Sequence, residues 1–209
     1  MLILYFYTSF YGTNYSIGCL GRLLRGHSRL WLSGRKSIVG AVLFSFGLLT
    51  VVHYALRLYT GTAGFIKKNE VGRLALILVC NVVGCLLVAL LARCSPMPLQ
   101  ETAQGIMEGR LAAGPLRCGL LAIGCGFIMT TTITFARQGK YLPLLVGVPL
   151  FINCGFPHCV ADSFYCLCTP VEFLTARAGE ILPFFLCIML GNFVGCNLYR
   201  WTQWPLPKE

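Results

Sequence analysis

The chain has 209 residues, 56% hydrophobic and only 11% charged, with 17 Lys and Arg against 7 Asp and Glu and a formal net charge of +10. A soluble domain carries about a quarter charged residues, so this composition excludes disorder and argues against a water-soluble globule; mean hydropathy is +0.73. The positive balance does not point to nucleic acid, because no RNA-binding motif or contiguous basic helix accompanies it. The basic residues instead lie between apolar runs, where membrane-flanking loops gather them.

Six runs contain no Asp, Glu, Lys or Arg: 1–21, 37–56, 74–92, 118–136, 141–161 and 181–199. A spanning helix needs about 20 mostly apolar residues to cross about 30 Å of hydrocarbon. Barrel strands are shorter and alternate. The runs therefore predict an all-α membrane protein with six transmembrane helices, forming one polytopic domain over 1–209. Residues 1–21 lack a basic start and a small-residue cleavage pattern, so they read as a first helix rather than a signal peptide. Residues 1–36 form that helix and a loop carrying Arg22, Arg25, Arg29, Arg35 and Lys36.

The second run, 37–56, is followed by Arg57 and nine more uncharged residues, with Gly61 and Gly64 as expected helix breakers. His53 within it reads as a packing residue. The third run holds Asn81-Val-Val-Gly-Cys85. Residues 94–117, rich in Pro and Gly, are expected to form an outer loop with a short amphipathic turn. The fourth run carries Thr130–Thr132 and Thr134, suited to backbone hydrogen bonding and close helix packing. The fifth, 141–161, is followed by Asp162, the only Asp in the chain, and again by nine uncharged residues. Gly155 and Pro157 break it. The sixth holds Asn192-Phe-Val-Gly-Cys196. Tyr5, Tyr7, Tyr11, Tyr15, Trp201 and Trp204 are expected at the membrane interface.

The two Asn-x-Val-Gly-Cys segments and the two overlong, interrupted runs make residues before and after the 94–117 loop look like copies of one unit. Three helices per copy place the copies in opposite orientation, an inverted 3+3 repeat with helices 2 and 5 broken. Paired broken helices in inverted repeats mark channels and transporters, with the substrate site where the breaks meet. Backbone freed by a break is tolerated at membrane depth where it lines a cavity. His158 lies in the second break, and ionisable groups at that depth usually face a pathway.

The stretch Asn153-Cys-Gly-Phe-Pro-His158-Cys-Val-Ala-Asp162 resembles the Gly-Phe-Glu-His…Ala-Asn loop of the formate/nitrite transporter family. Gly40-Ala-Val-Leu-Phe44-Ser-Phe-Gly47, Leu58-Tyr59-Thr60-Gly61, Asn81-x-x-Gly84 and Gly191-Asn192-x-x-Gly195 are similar to further segments of that family, in the same order from residue 37 onward. The resemblance implies a homopentamer of aquaporin-like protomers in the inner cell membrane, with a cytoplasmic N-terminus, moving small monovalent anions such as formate or nitrite. It implies that Thr60 and His158 meet at the pore centre, and that Asn192 and Asn81 belong to the path. Phe44 with Phe151 would form the outer constriction, Leu58 with Tyr59 the inner one, and Lys140 would attract anions at the inner mouth.

Three positions depart from the family pattern: Pro157 stands in place of Glu, Asp162 in place of Asn, and Arg57 in place of an acidic residue. Arg57 is expected to be the counterpart of Asp162 in the other half and to pair with it, since pairing relieves both charges at depth. The inner half of the second helix is expected to be short, because only Lys67–Arg73 separates two apolar runs.

The loop charges alone favour N-inside by seven to four, but the 22–36 cluster counts the other way; the family resemblance decides the orientation. Twelve cysteines without paired CxxC spacing read as small packing residues. Neither a metal nor a cofactor is expected, and no nucleophile–His–acid set suggests an enzyme. The alternatives are a neutral-solute pore for water, urea or ammonia, and a Cys/His metal or redox protein using His158, Cys154, Cys159, Cys166 and Cys168.

Overall fold

The computed structural model describes residues 38–96 and 98–202. The first apolar run, the 22–36 basic cluster, the N-terminal tyrosines and Trp204 lie outside them. The described residues form nine α-helices: α1 (Ile38–His53), α2 (Tyr59–Ala63), α3 (Val71–Arg93), α4 (Leu99–Ala113), α5 (Pro115–Arg137), α6 (Leu142–Asn153), α7 (Cys159–Cys168), α8 (Val171–Ala176) and α9 (Ala178–Thr202). One 3-10 turn, Lys68–Glu70, leads into α3.

Helices α3, α5 and α9 have 23, 23 and 25 residues and are long and apolar enough to cross a membrane. They coincide with the third, fourth and sixth predicted runs. The second and fifth runs do not form single spans. Each ends in a helix, turns through a short irregular stretch and resumes as a second helix, giving α1–α2 and α6–α7. As expected, the resumed half is short in the first case: α2 has 5 residues and α7 has 10.

The two breaks are built alike, residue for residue, at an offset of 100. Tyr54 N–H donates to Thr50 O at 3.0 Å and Cys154 N–H to Leu150 O at 3.0 Å. Ala55 N–H donates to Val52 O at 3.1 Å and Gly155 N–H to Ile152 O at 3.0 Å. Leu56 N–H then reaches back to Val51 O at 2.8 Å, as Phe156 N–H does to Phe151 O at 3.1 Å. Together these bonds make a Schellman cap, which needs one residue in the left-handed region. That residue is Ala55 at φ 51° in one half and Gly155 at φ 71° in the other.

This alignment corrects two expectations. The first break lies at 54–58, ahead of Gly61 and Gly64. Those glycines serve close packing: a Cβ on Gly61 would meet Ile133 Cδ1 at 2.8 Å, and one on Gly64 would meet Cys196 O at 2.6 Å. The offset also pairs Arg57 with Pro157, and Asp162 with Thr62, so Arg57 is not the counterpart of Asp162.

The segment expected as a loop with a short turn is instead the 15-residue helix α4. Leu99, Ala103, Met107 and Leu111 recur every fourth residue and are all buried. That stripe stabilises a helix despite Gly105 and Gly109, whose missing side chains face open space. Elsewhere, α5 and α9 cross so closely that a Cβ on Gly126, Gly191 or Gly195 would collide with the other helix's backbone. Small residues allow this kind of approach in membrane helix pairs.

The caps predict an unequal response to matched substitutions. Gly155→Ala puts a Cβ into the left-handed region at a cost of roughly 1–2 kcal/mol. Ala55→Gly relieves that same strain while loosening the unfolded chain, so its net effect stays within about 1 kcal/mol. Thermal unfolding of the detergent-solubilised protein measures both, and equal losses would contradict the shared cap.

Candidate functional site

The resumed helices α2 and α7 start next to each other. Thr60 Oγ1 and His158 Nε2 are 2.9 Å apart, linking residues 98 positions distant in sequence. Both are buried, with His158 2% exposed. The imidazole also caps α7, since Ala161 N–H donates to His158 Nδ1 at 3.2 Å. A backbone N–H is always a donor, so Nδ1 carries no proton in this arrangement. In the neutral ring the proton sits on Nε2 and is donated to the Thr60 hydroxyl oxygen.

Apolar side chains continue from the imidazole. Phe151 stacks beside His158 with centroids 5.9 Å apart, and Phe44 meets Phe151 edge-on at 6.1 Å. Leu58 and Tyr59 are buried beside Thr60. Leu58 holds the position before α2 that His158 holds before α7, so one half ends its break with an alkyl chain and the other with an imidazole. The Tyr59 hydroxyl donates to Met189 O at 3.3 Å.

Two asparagines hold the breaks in the same way. Asn81 Oδ1 accepts from Tyr59 N–H at 2.9 Å, and Asn81 Nδ2 donates to Arg57 O at 3.1 Å. Asn192 Oδ1 accepts from Cys159 N–H at 2.8 Å, and Asn192 Nδ2 donates to Pro157 O at 3.1 Å and Ala122 O at 2.8 Å. The paired cysteines reach across to the opposite half. Cys85 Sγ donates to Val160 O at 3.4 Å and Cys196 Sγ to Thr60 O at 3.3 Å. The repeat detected in sequence is thus a set of backbone clamps. Both amide hydrogens of Asn192 are committed to carbonyls, so this residue shapes the centre by holding the chain and has no donor left over.

Arginines cap the outgoing ends. Arg93 Nη2 donates to Thr169 O at 3.0 Å beyond α7, and Arg200 Nη1 to Ile66 O at 2.6 Å beyond α2. Arg137 Nη2 donates to Gly61 O at 3.2 Å, with its guanidinium 4.0 Å from the Phe65 ring centroid. Cationic groups at helix C-termini satisfy carbonyls and complement the dipole.

The expected Arg57–Asp162 pair does not form. Asp162 Oδ1 accepts from Arg110 Nε at 3.1 Å, and Oδ2 accepts from His158 N–H at 2.8 Å. Arg57 has an exposed side chain and contributes its carbonyl to the Asn81 clamp. Arg110 belongs to the segment expected as a loop; its position three residues after Met107, beside the buried Leu99–Leu111 stripe, is the sequence signal for its inward direction. Lys140 lies on the exposed turn between α5 and α6 and is not among the residues touching the imidazole. Among the described residues, no three His, Cys, Asp or Glu side chains gather to hold a metal ion.

The family model for formate/nitrite transporters matches residues 3–202. The chain belongs to the formate/nitrite transporter family. It is a multi-pass membrane protein of the channel and transporter class, not an enzyme. A relative from Bacillus subtilis (strain 168), the uncharacterized transporter YrhG, is 28% identical over 188 residues, spanning 77% of this chain and 70% of the relative. A solved structure of a pentameric formate channel with formate bound superposes with a TM-score of 0.75 at 18% identity, over 97% of this chain and 90% of that one. That likeness shows a shared fold.

The clamps yield a stability prediction. Asn192→Ala and Asn81→Ala each leave one N–H and one C=O of a break unmet, each group costing about 1–3 kcal/mol when buried. Both variants should unfold at lower temperature than the parent protein, by similar amounts. A loss no larger than that of an exposed Asn→Ala control would contradict the clamp.

Proposed function

We propose that the chain forms a homopentameric, proton-linked path for small weak-acid anions such as formate or nitrite in the inner cell membrane, with one path per protomer. The observation that carries this reading is the buried His158–Thr60 pair at the junction of two broken helices. An anion there replaces the Thr60 oxygen as acceptor of the Nε2–H, and the Thr60 hydroxyl turns to donate as well. The N-terminal end of α7 adds positive potential at the same place.

The phenylalanine pair on one side and Leu58 with Tyr59 on the other make apolar constrictions that oppose a bare charge. A protonated weak acid passes them more easily. Proton linkage enters when the ring takes a proton on Nδ1, releasing the Ala161 N–H. The imidazolium then passes its Nε2 proton to the anion, leaving a neutral ring protonated on Nδ1; once the acid departs, loss of the Nδ1 proton and reprotonation of Nε2 restore the starting tautomer and the Ala161 cap. Loss of the cap raises the cost of proton uptake, which is favoured when an anion is present to offset the ring's charge. Lys140, on the exposed turn between α5 and α6, raises the local anion concentration at its mouth of the path.

His158→Phe keeps an aromatic ring beside Phe151 but removes both ring nitrogens. Formate and nitrite flux into proteoliposomes at two pH values should fall at least about tenfold, in line with the loss of a positioned general acid, and lose pH dependence. Unchanged, pH-dependent flux would refute the reading. Wild-type flux of urea or ammonia without anion flux would favour a neutral-solute pore. The mass of the solubilised complex tests the pentamer.

A further inference from the structure

Arg110 is the charged side chain that α4 sends into the second break. Its Nη1 donates to Gly155 O at 2.5 Å and its Nε to Asp162 Oδ1 at 3.1 Å. It therefore bridges the end of α6 and the start of α7. The carboxylate it meets is 1% exposed, whereas the guanidinium side chain is 20% exposed. The second carboxylate oxygen accepts the backbone N–H of His158, the residue at the site centre. The first break carries Thr62 at the position matching Asp162, so this charged arrangement belongs to one half alone.

A buried carboxylate within one helical turn of His158 opposes an approaching anion. At short range in a low-dielectric interior, like charges repel strongly enough to alter affinity by an order of magnitude. The same carboxylate is needed to hold the His158 N–H. We propose that Arg110 is a positioning residue that sets anion affinity, cancelling the charge of Asp162 so that the carboxylate secures the His158 backbone without repelling the anion. The inference rests on reading the chain as an anion path. Neither Arg110 nor the segment bearing it was singled out by the sequence motifs, and the pair replaces the Arg57–Asp162 contact expected from them.

The test is formate flux into proteoliposomes over a range of formate concentrations, for the wild type, Arg110→Lys, Arg110→Gln, Asp162→Asn and the Arg110→Gln/Asp162→Asn double variant. Arg110→Gln should raise the half-saturating concentration about tenfold, with little relief at high salt because the carboxylate is buried. Arg110→Lys keeps the charge but loses the two-pronged contact, and should fall between wild type and Arg110→Gln. Asn at 162 still accepts the His158 N–H, so the double variant should return to within about threefold, and Asp162→Asn alone should fall below wild type. Thermal unfolding of the same proteins reads the pair independently of transport: Arg110→Gln should be destabilised and the double variant largely restored.

A double variant no better than Arg110→Gln in both measurements would overturn the proposal, because a packing role predicts additive loss. An Arg110→Gln variant matching wild type in half-saturation would do the same. If Arg110→Gln fails to assemble, Asp162→Asn decides, and an unchanged or raised half-saturating concentration overturns the proposal. Wild-type protein that folds but carries no anion would instead defeat the transport reading, leaving the unfolding measurements to judge the ion pair.

Discussion

Two amide side chains, Asn81 and Asn192, make an interrupted helix tolerable in the middle of this protein. A break exposes backbone N–H and C=O groups that hydrocarbon cannot satisfy. Each asparagine offers an acceptor and a donor from one planar group, the combination that an N–H and a C=O two residues apart require. Tyr59 N–H and Arg57 O are met by one, Cys159 N–H and Pro157 O by the other. With those groups paired, both half-helices can begin in the interior, where Thr60 and His158 find one another.

The duplication is nearly complete in the backbone and incomplete in the side chains. Matching Schellman caps and matching clamps fix two equivalent scaffolds. Onto them the sequence places different chemistry: Leu58 against His158, Thr62 against Asp162, Ala55 against Gly155. An imidazole supplied by each half would crowd two titratable groups into one apolar centre. With one imidazole and one hydroxyl, from Thr60, the pair is complementary at 2.9 Å.

Much of the fold was legible because charge-free runs are a coarse, robust signal of spanning length. Both interrupted helices were found, as were the Asn-x-Val-Gly-Cys repeat and the shortness of α2. The exact site of the first break is not legible, because a left-handed alanine has no compositional mark, whereas Gly61 and Gly64, the expected breakers, are packing positions. The Arg57–Asp162 pairing failed for a related reason. Distance along the charge-free run matches Arg57 to Asp162, whereas the caps set an offset of 100 and match Arg57 to Pro157. Arg110 was hidden by Gly105 and Gly109, whose low helix propensity outweighed a four-residue apolar stripe when the segment was read alone. The meeting of Thr60 with His158 came from family resemblance; residue spacing suggested only that two breaks should converge.

The two half-helices leave the centre by routes of unequal length. From Thr60 the chain reaches the exposed Lys67 in seven residues, whereas from His158 it runs fourteen to the exposed Glu172. At about 1.5 Å per helical residue, α2 contributes roughly 7 Å and α7 roughly 15 Å of that separation. Thr60 therefore hangs from a tether half as long as the one that holds His158, and the hydroxyl's place is fixed more by its neighbours, Asn81 and the α5–α9 crossing, than by its own helix.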